Sequence, residues 1–104
     1  MAETVFYSWQ SDLSNKTNRS LIENALERAV VAIEGDALIE VAPRMDQDTR
    51  GVPGSPDISS TVLDKIDDAA AYVADVSFVT GGDVDRPSPN PNVLIELGYA
   101  LKAL

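Results

Sequence analysis

Tyr72-Val73-Ala74-Asp75-Val76-Ser77-Phe78-Val79 is an apolar run interrupted only by Asp75 and Ser77. A strand apolar at successive positions is covered on both faces, as in a parallel sheet lying between helices. Ahead of it, Ile58, Val62, Ile66 and Ala69 recur at helical steps, with Leu63 beside them. Ser55-Pro56-Asp57 reads as the start of that helix, with a Ser cap, Pro at the first position and an acid beside the positive helix end. Behind the run, Asn90-Pro91 opens a last helix in the same manner, with Val93, Leu94, Leu97, Leu101 and Leu104 as its apolar stripe.

Toward the N-terminus the alternation repeats. Thr4-Val5-Phe6-Tyr7-Ser8-Trp9 is β-branched and aromatic, and reads as a first strand. Leu21, Ile22, Ala25, Leu26, Ala29, Val30 and Ile33 form one stripe of an amphipathic helix that Gly35-Asp36 ends. Ala37-Leu38-Ile39-Glu40-Val41-Ala42 reads as a second strand, followed by an irregular segment from Pro43 to Pro56. The fold class is α/β, in βαβαβα order. Alternation of this kind predicts a parallel, doubly wound sheet with right-handed crossovers and ligands beyond the carboxyl ends of its strands. Three strands make a narrow sheet for that architecture. Ile95 and Tyr99 fall off the main stripe of the last helix. Residues 1–104 are therefore expected to be a single domain, the N-terminal part of a five-stranded one.

The 104 residues hold 17 acidic and 8 basic side chains and no His, a formal charge of −9. That field repels phosphate backbones and anionic lipid, so general nucleic-acid or membrane binding is not expected. Without Cys or His there is no thiol or imidazole chemistry and no metal held by either. No apolar run approaches ~18 residues and no signal peptide is evident, so a cytoplasmic location is expected.

Catalysis would therefore fall to carboxylates, hydroxyls, Lys, Tyr or the backbone. Glu96 lies about two turns into the last helix, roughly 100° round from the stripe, on its flank. It reads either as a solvated helix glutamate or as a carboxylate at the strand-end crevice. Gly98 removes a side chain nearby, where a backbone or ligand could approach. Asp75 and Ser77 read as strand-end capping groups or as polar groups on the crevice floor. Trp9, on the same side of its strand as Tyr7, reads as core or rim packing, or as a ring on which a base stacks. Residues 46–54 read as a solvated connection or a gating loop. No GxGxxG or GxxxxGK[ST] pattern occurs, which disfavours a nucleoside triphosphatase.

VFYSWQSD at 5–12, RGVPGSPDISSTVLDKID at 50–67, YVADVS at 72–77 and, above all, PNPNVLIELGYALKAL at 89–104 resemble the bacterial TIR-like family. These are relatives of Toll/interleukin receptor domains found in antiphage defence proteins. A similar Asn-x-x-x-Glu-Leu-Gly pattern occurs in nucleoside 2-deoxyribosyltransferases, which share the layout. The resemblance implies a flavodoxin-like, TIR-like sheet and an NAD hydrolase that cleaves the nicotinamide–ribose bond, with Glu96 as the essential carboxylate. NAD is then substrate, and no cofactor or metal is implied. Ser8 and Trp9 match the strand end that contacts the nucleotide, and Arg44 or Arg50 could pair with the pyrophosphate. Ser77 and Asn92 would border the pocket. The resemblance further implies activation by homo-oligomeric assembly and a fused or associated sensor domain. Two departures stand out: the family's later strands are not in this sequence, and Val93-Leu94 replace the Trp-Cys pair of many TIR domains. The alternatives are a deoxyribosyltransferase-like enzyme and a non-catalytic module that self-associates or senses a nucleotide.

Overall fold

The β-branched and aromatic residues of β1 (Ala2–Ser8) place it at the centre of a parallel sheet. The computed structural model describes residues 2–36, 38–39, 42–47, 60–80 and 86–104. Their order is β1, α1 (Arg19–Glu34), β2 (Ala42–Gln47), α2 (Ser60–Asp67), β3 (Ala71–Ala74) and α3 (Pro91–Ala103). The strands lie in the order β2-β1-β3, all parallel. The chain thus leaves β1 toward one side for β2 and returns to the other side for β3. Between β1 and β3 lies the point where strand order reverses, the usual place for a ligand in such sheets.

Alternation along β1 divides its side chains between two layers. Phe6 packs into a core with Val62, Ile66, Ala69 and Ala100, from α2, the turn after it and α3. Its register partner Tyr72 lies parallel to it, ring centroids 6.1 Å apart and planes 4° apart. Tyr7 faces the other way, and its hydroxyl donates to the Arg19 carbonyl at the start of α1. Helices therefore cover both faces of the sheet. Among the described residues, no helix is long and apolar enough to cross a membrane.

Several sequence expectations change. The second strand is shifted from the expected 37–42: Leu38 and Ile39 are exposed, pairing with β1 runs from Ala42 to Gln47, and Ala37, Glu40 and Val41 lie outside the described residues. Pro43 sits near the start of an edge strand, where a missing N–H breaks no central ladder, so proline does not end the strand here. The third strand is shorter than the apolar run. β1 ends at Ser8, the Asp75 N–H still reaches the Ser8 carbonyl at 3.0 Å, and beyond it Val76 and Phe78 lie exposed with no ladder. The helix start at Ser55-Pro56-Asp57, Ile58 of its stripe, and residues 48–54 of the expected loop lie outside the described residues.

The last helix begins as its sequence requires. Asn90 Oδ1 accepts from the backbone N–H groups of Asn92 and Val93, with Pro91 in the first turn. Its buried face matches the expected stripe only in part: Val93 points inward as expected, together with Glu96 and Ala100, and Leu97 is half-buried, whereas Leu94, Leu101 and Leu104 are exposed. Small Ala100 packs in the core with Phe6, and the Glu96 carboxylate is drawn to β1 by a hydrogen bond. Ile95 is exposed, as expected. Tyr99 instead packs against the edge of the core and donates to Asp67 on α2 at 2.7 Å.

Candidate active site

Ser8, the last residue of β1, points to the same face as Phe6, toward α3. There its hydroxyl donates to Glu96 Oε1 at 2.6 Å. Glu96 has 0% exposure, so the expectation of a flank position is corrected to a fully buried carboxylate. Burial of a charged group is costly unless hydrogen bonds satisfy it, and a short O–H···O⁻ bond is among the stronger kinds. Tyr72 completes a chain, its hydroxyl donating to Ser8 Oγ at 2.6 Å. A ligand that reaches this carboxylate does so by displacing what covers it. Among the described residues no backbone comes close to Gly98: a Cβ built there meets nothing within 4 Å.

A second polar cluster lies where β3 leaves the ladder. Asp75 Oδ2 accepts from Gln10 Nε2 at 2.9 Å and from Asn18 Nδ2 at 3.0 Å, and Asp75 Oδ1 accepts from the Ser77 N–H at 3.0 Å. Asn18 also donates to Ser77 Oγ, and Gln10 Oε1 accepts from the Leu13 N–H. Burial acts to raise the Asp75 carboxyl, but the bonds from Ser77, Gln10 and Asn18 outweigh it and hold it below its ordinary value. These bonds fasten the loop between β1 and α1 to the end of β3. Tyr7, buried beside this cluster, has its phenol pushed up to about 12, first by burial and then by the nearby Asp75 and Glu23 charges.

Trp9 is buried, and the Arg19 guanidinium lies 3.6 Å from its ring centroid. A base stacking on that ring face would have to displace Arg19. Arg19 is the cation that sequence reasoning missed. Its position in the first turn of α1 gave no motif, and only the Trp9 contact draws attention to it. Its Nε is buried with no hydrogen-bond partner.

The sequence-derived residues therefore fall into separate places. Ser8 and Glu96 meet directly. Ser77 belongs to the Asp75 cluster. Asn92 is half-buried in the first turn of α3, its N–H bonded to the Asn90 cap. Asn90 also donates to Asp12 at 2.6 Å, tying that helix end to the loop after β1. Arg44 is an exposed residue inside β2 rather than in a loop. It is level with Thr4, about 13 Å short of the Ser8 end at roughly 3.3 Å per residue. Arg50 lies outside the described residues. Comparison with protein-family models, curated proteins and solved structures finds no match to this chain.

Proposed function

We propose that the chain is a TIR-like NAD hydrolase that cleaves the nicotinamide–ribose bond, with Glu96 as its essential carboxylate. The observation that carries this reading is the buried Glu96 carboxylate, held by Ser8 at the end of β1, beside the reversal of strand order. On this reading the three strands belong to a flavodoxin-like sheet of five. Beside β3, a groove of about 400 Å³ walled by Tyr72, Leu97 and Leu101 would on this reading be available to another packed element.

The chemistry suits a chain without His. The C1′–N bond breaks with its electron pair passing to the pyridinium nitrogen, so nicotinamide departs neutral and needs no acid. Water adds to C1′ and gives up a proton. What the site must supply is stabilisation of an oxocarbenium-like ribose, and a carboxylate accepting from the 2′- and 3′-hydroxyls supplies it. Arg19 is better placed than Arg44 to meet the pyrophosphate, because it lies at the strand-end side of the sheet. Self-association through exposed residues such as Ile95 would concentrate the sites.

The test is incubation of the full chain with NAD, at concentrations that favour self-association, with detection of nicotinamide. Glu96→Gln is expected to lower turnover at least ~10²-fold while circular dichroism stays unchanged. Base exchange on a deoxynucleoside, in place of nicotinamide release, would assign the transferase instead. NAD binding without turnover that survives loss of Glu96 would assign a non-catalytic module.

A further inference from the structure

We infer that Tyr72 is a positioning residue for Glu96, acting through the Ser8 hydroxyl; its kinetic consequence rests on the reading of Glu96 given above. A serine hydroxyl has one hydrogen. Here that hydrogen is committed to Glu96 Oε1 at 2.6 Å, which leaves the oxygen's lone pairs to accept from Tyr72, also at 2.6 Å. The chain therefore has one direction, from phenol to hydroxyl to carboxylate. Each donor in such a chain is polarised by the one behind it, so Tyr72 strengthens the bond that Ser8 gives to Glu96. It also removes the freedom of Ser8 to turn its hydrogen elsewhere.

The fold holds Tyr72 for this task in two ways. Its ring lies parallel to that of Phe6, its register partner, which fixes the ring plane. The register partner of Ser8 is Ala74, whose small side chain leaves the sheet surface clear for the tyrosine to run diagonally toward Ser8. Phe6, Ser8, Tyr72 and Ala74 thus form one patch on the face turned to α2 and α3. Tyr72 touches no reacting atom in this scheme. It sets the orientation of the carboxylate that a substrate sugar would meet.

The decisive experiment is a double-mutant cycle on Tyr72 and Ser8 in the full chain. At pH 7 the side-chain carboxyl ¹³C resonance of Glu96 is expected to move on Tyr72→Phe, which keeps the ring and its stack. In a Ser8→Ala background the same substitution is expected to leave it in place. In NAD turnover, Tyr72→Phe is expected to lower kcat ~5- to 20-fold with KM changed less than ~2-fold, and to add nothing to Ser8→Ala. If Ser8→Ala does not fold, Ser8→Cys, with its weak donor, takes its place. An equal resonance shift with and without the Ser8 hydroxyl, or no shift in either background, overturns the inference. The resonance decides this even if Glu96→Gln leaves NAD turnover unchanged, a result that would overturn only the hydrolase reading.

Discussion

The two faces of β1 are held by different physics. On the face toward α2 and α3, Phe6 sits in an apolar core with Val62, Ile66, Ala69 and Ala100, and a chain of hydroxyls from Tyr72 through Ser8 reaches the buried Glu96 carboxyl group. On the face toward α1 no helix residue is fully buried, and Val31 is 66% exposed. A groove of about 460 Å³ opens there between Val30, Val31 and Met45. What fastens that side is the polar cluster around Asp75, together with the stack of Arg19 on Trp9. The contrast is between apolar packing around a buried carboxylate and a hydrogen-bonded staple, which secures a loop.

The sharpest way to break that contrast is to truncate matching residues on the two sides. Ile66 is fully buried, so Ile66→Ala is expected to cost about 2–4 kcal/mol in denaturant unfolding, since the cavity cannot collapse against a sheet. Leu26, half-buried on α1, should lose about 1 kcal/mol or less when cut to Ala. Equal losses at the two positions would mean that α1 is seated as firmly as α2.

The staple should respond to acid where the apolar packing around Ile66 does not. Asp75→Ala leaves the amides of Gln10 and Asn18 without their acceptor and is expected to cost about 1–3 kcal/mol at neutral pH. The folded-state carboxyl titrates below its unfolded value, so the unfolded chain binds more protons in that window. Its contribution is present above the ordinary carboxylate range and is lost as pH falls through the lowered folded value. The stability gap between wild type and Asp75→Ala should therefore narrow below about pH 4. A gap that stays constant into strong acid would show that the carboxylate charge is not what holds the loop.

How legible this was in the sequence differs between the faces in an instructive way. The alternation of strands and helices, the Asn90-Pro91 cap, and the split of Phe6 and Ser8 from Tyr7 and Trp9 all follow from local periodicity, and they hold in the structure. The orientation of α3 was not legible. Of the expected stripe Val93, Leu94, Leu97, Leu101 and Leu104, Val93 is buried, but Leu94, Leu101 and Leu104 are exposed and a hydrogen bond across 88 residues holds Glu96 inward. The β2 register was hidden for a related reason: Pro43 and Arg44 look like loop residues until an edge strand makes them tolerable. The Tyr72–Ser8 hydrogen bond and the Arg19–Trp9 stack carried no sequence signal, because neither pairing follows from local periodicity.

The smallest expected effect sharpens the comparison within a single face. Asp46, the register partner of Phe6, carries a second carboxylate on the α2 side of the sheet, 3.3 Å from Lys65 Nζ. Both side chains are about one-third exposed. Water screens such a pair, and ordering two side chains offsets part of the attraction, so Lys65→Ala is expected to cost less than ~1 kcal/mol. Some of even that loss belongs to the helix dipole, because Lys65 lies in the last turn of α2. Raising salt to ~1 M, where the Debye length is about 3 Å, should erase most of the difference between Lys65→Ala and wild type. The effect of Ser8→Ala on Glu96 should survive that salt, because the bond between them is buried and ions do not reach it. A salt response at Glu96 as large as that at Asp46 would place its carboxylate in water and remove the dry environment on which its proposed role depends.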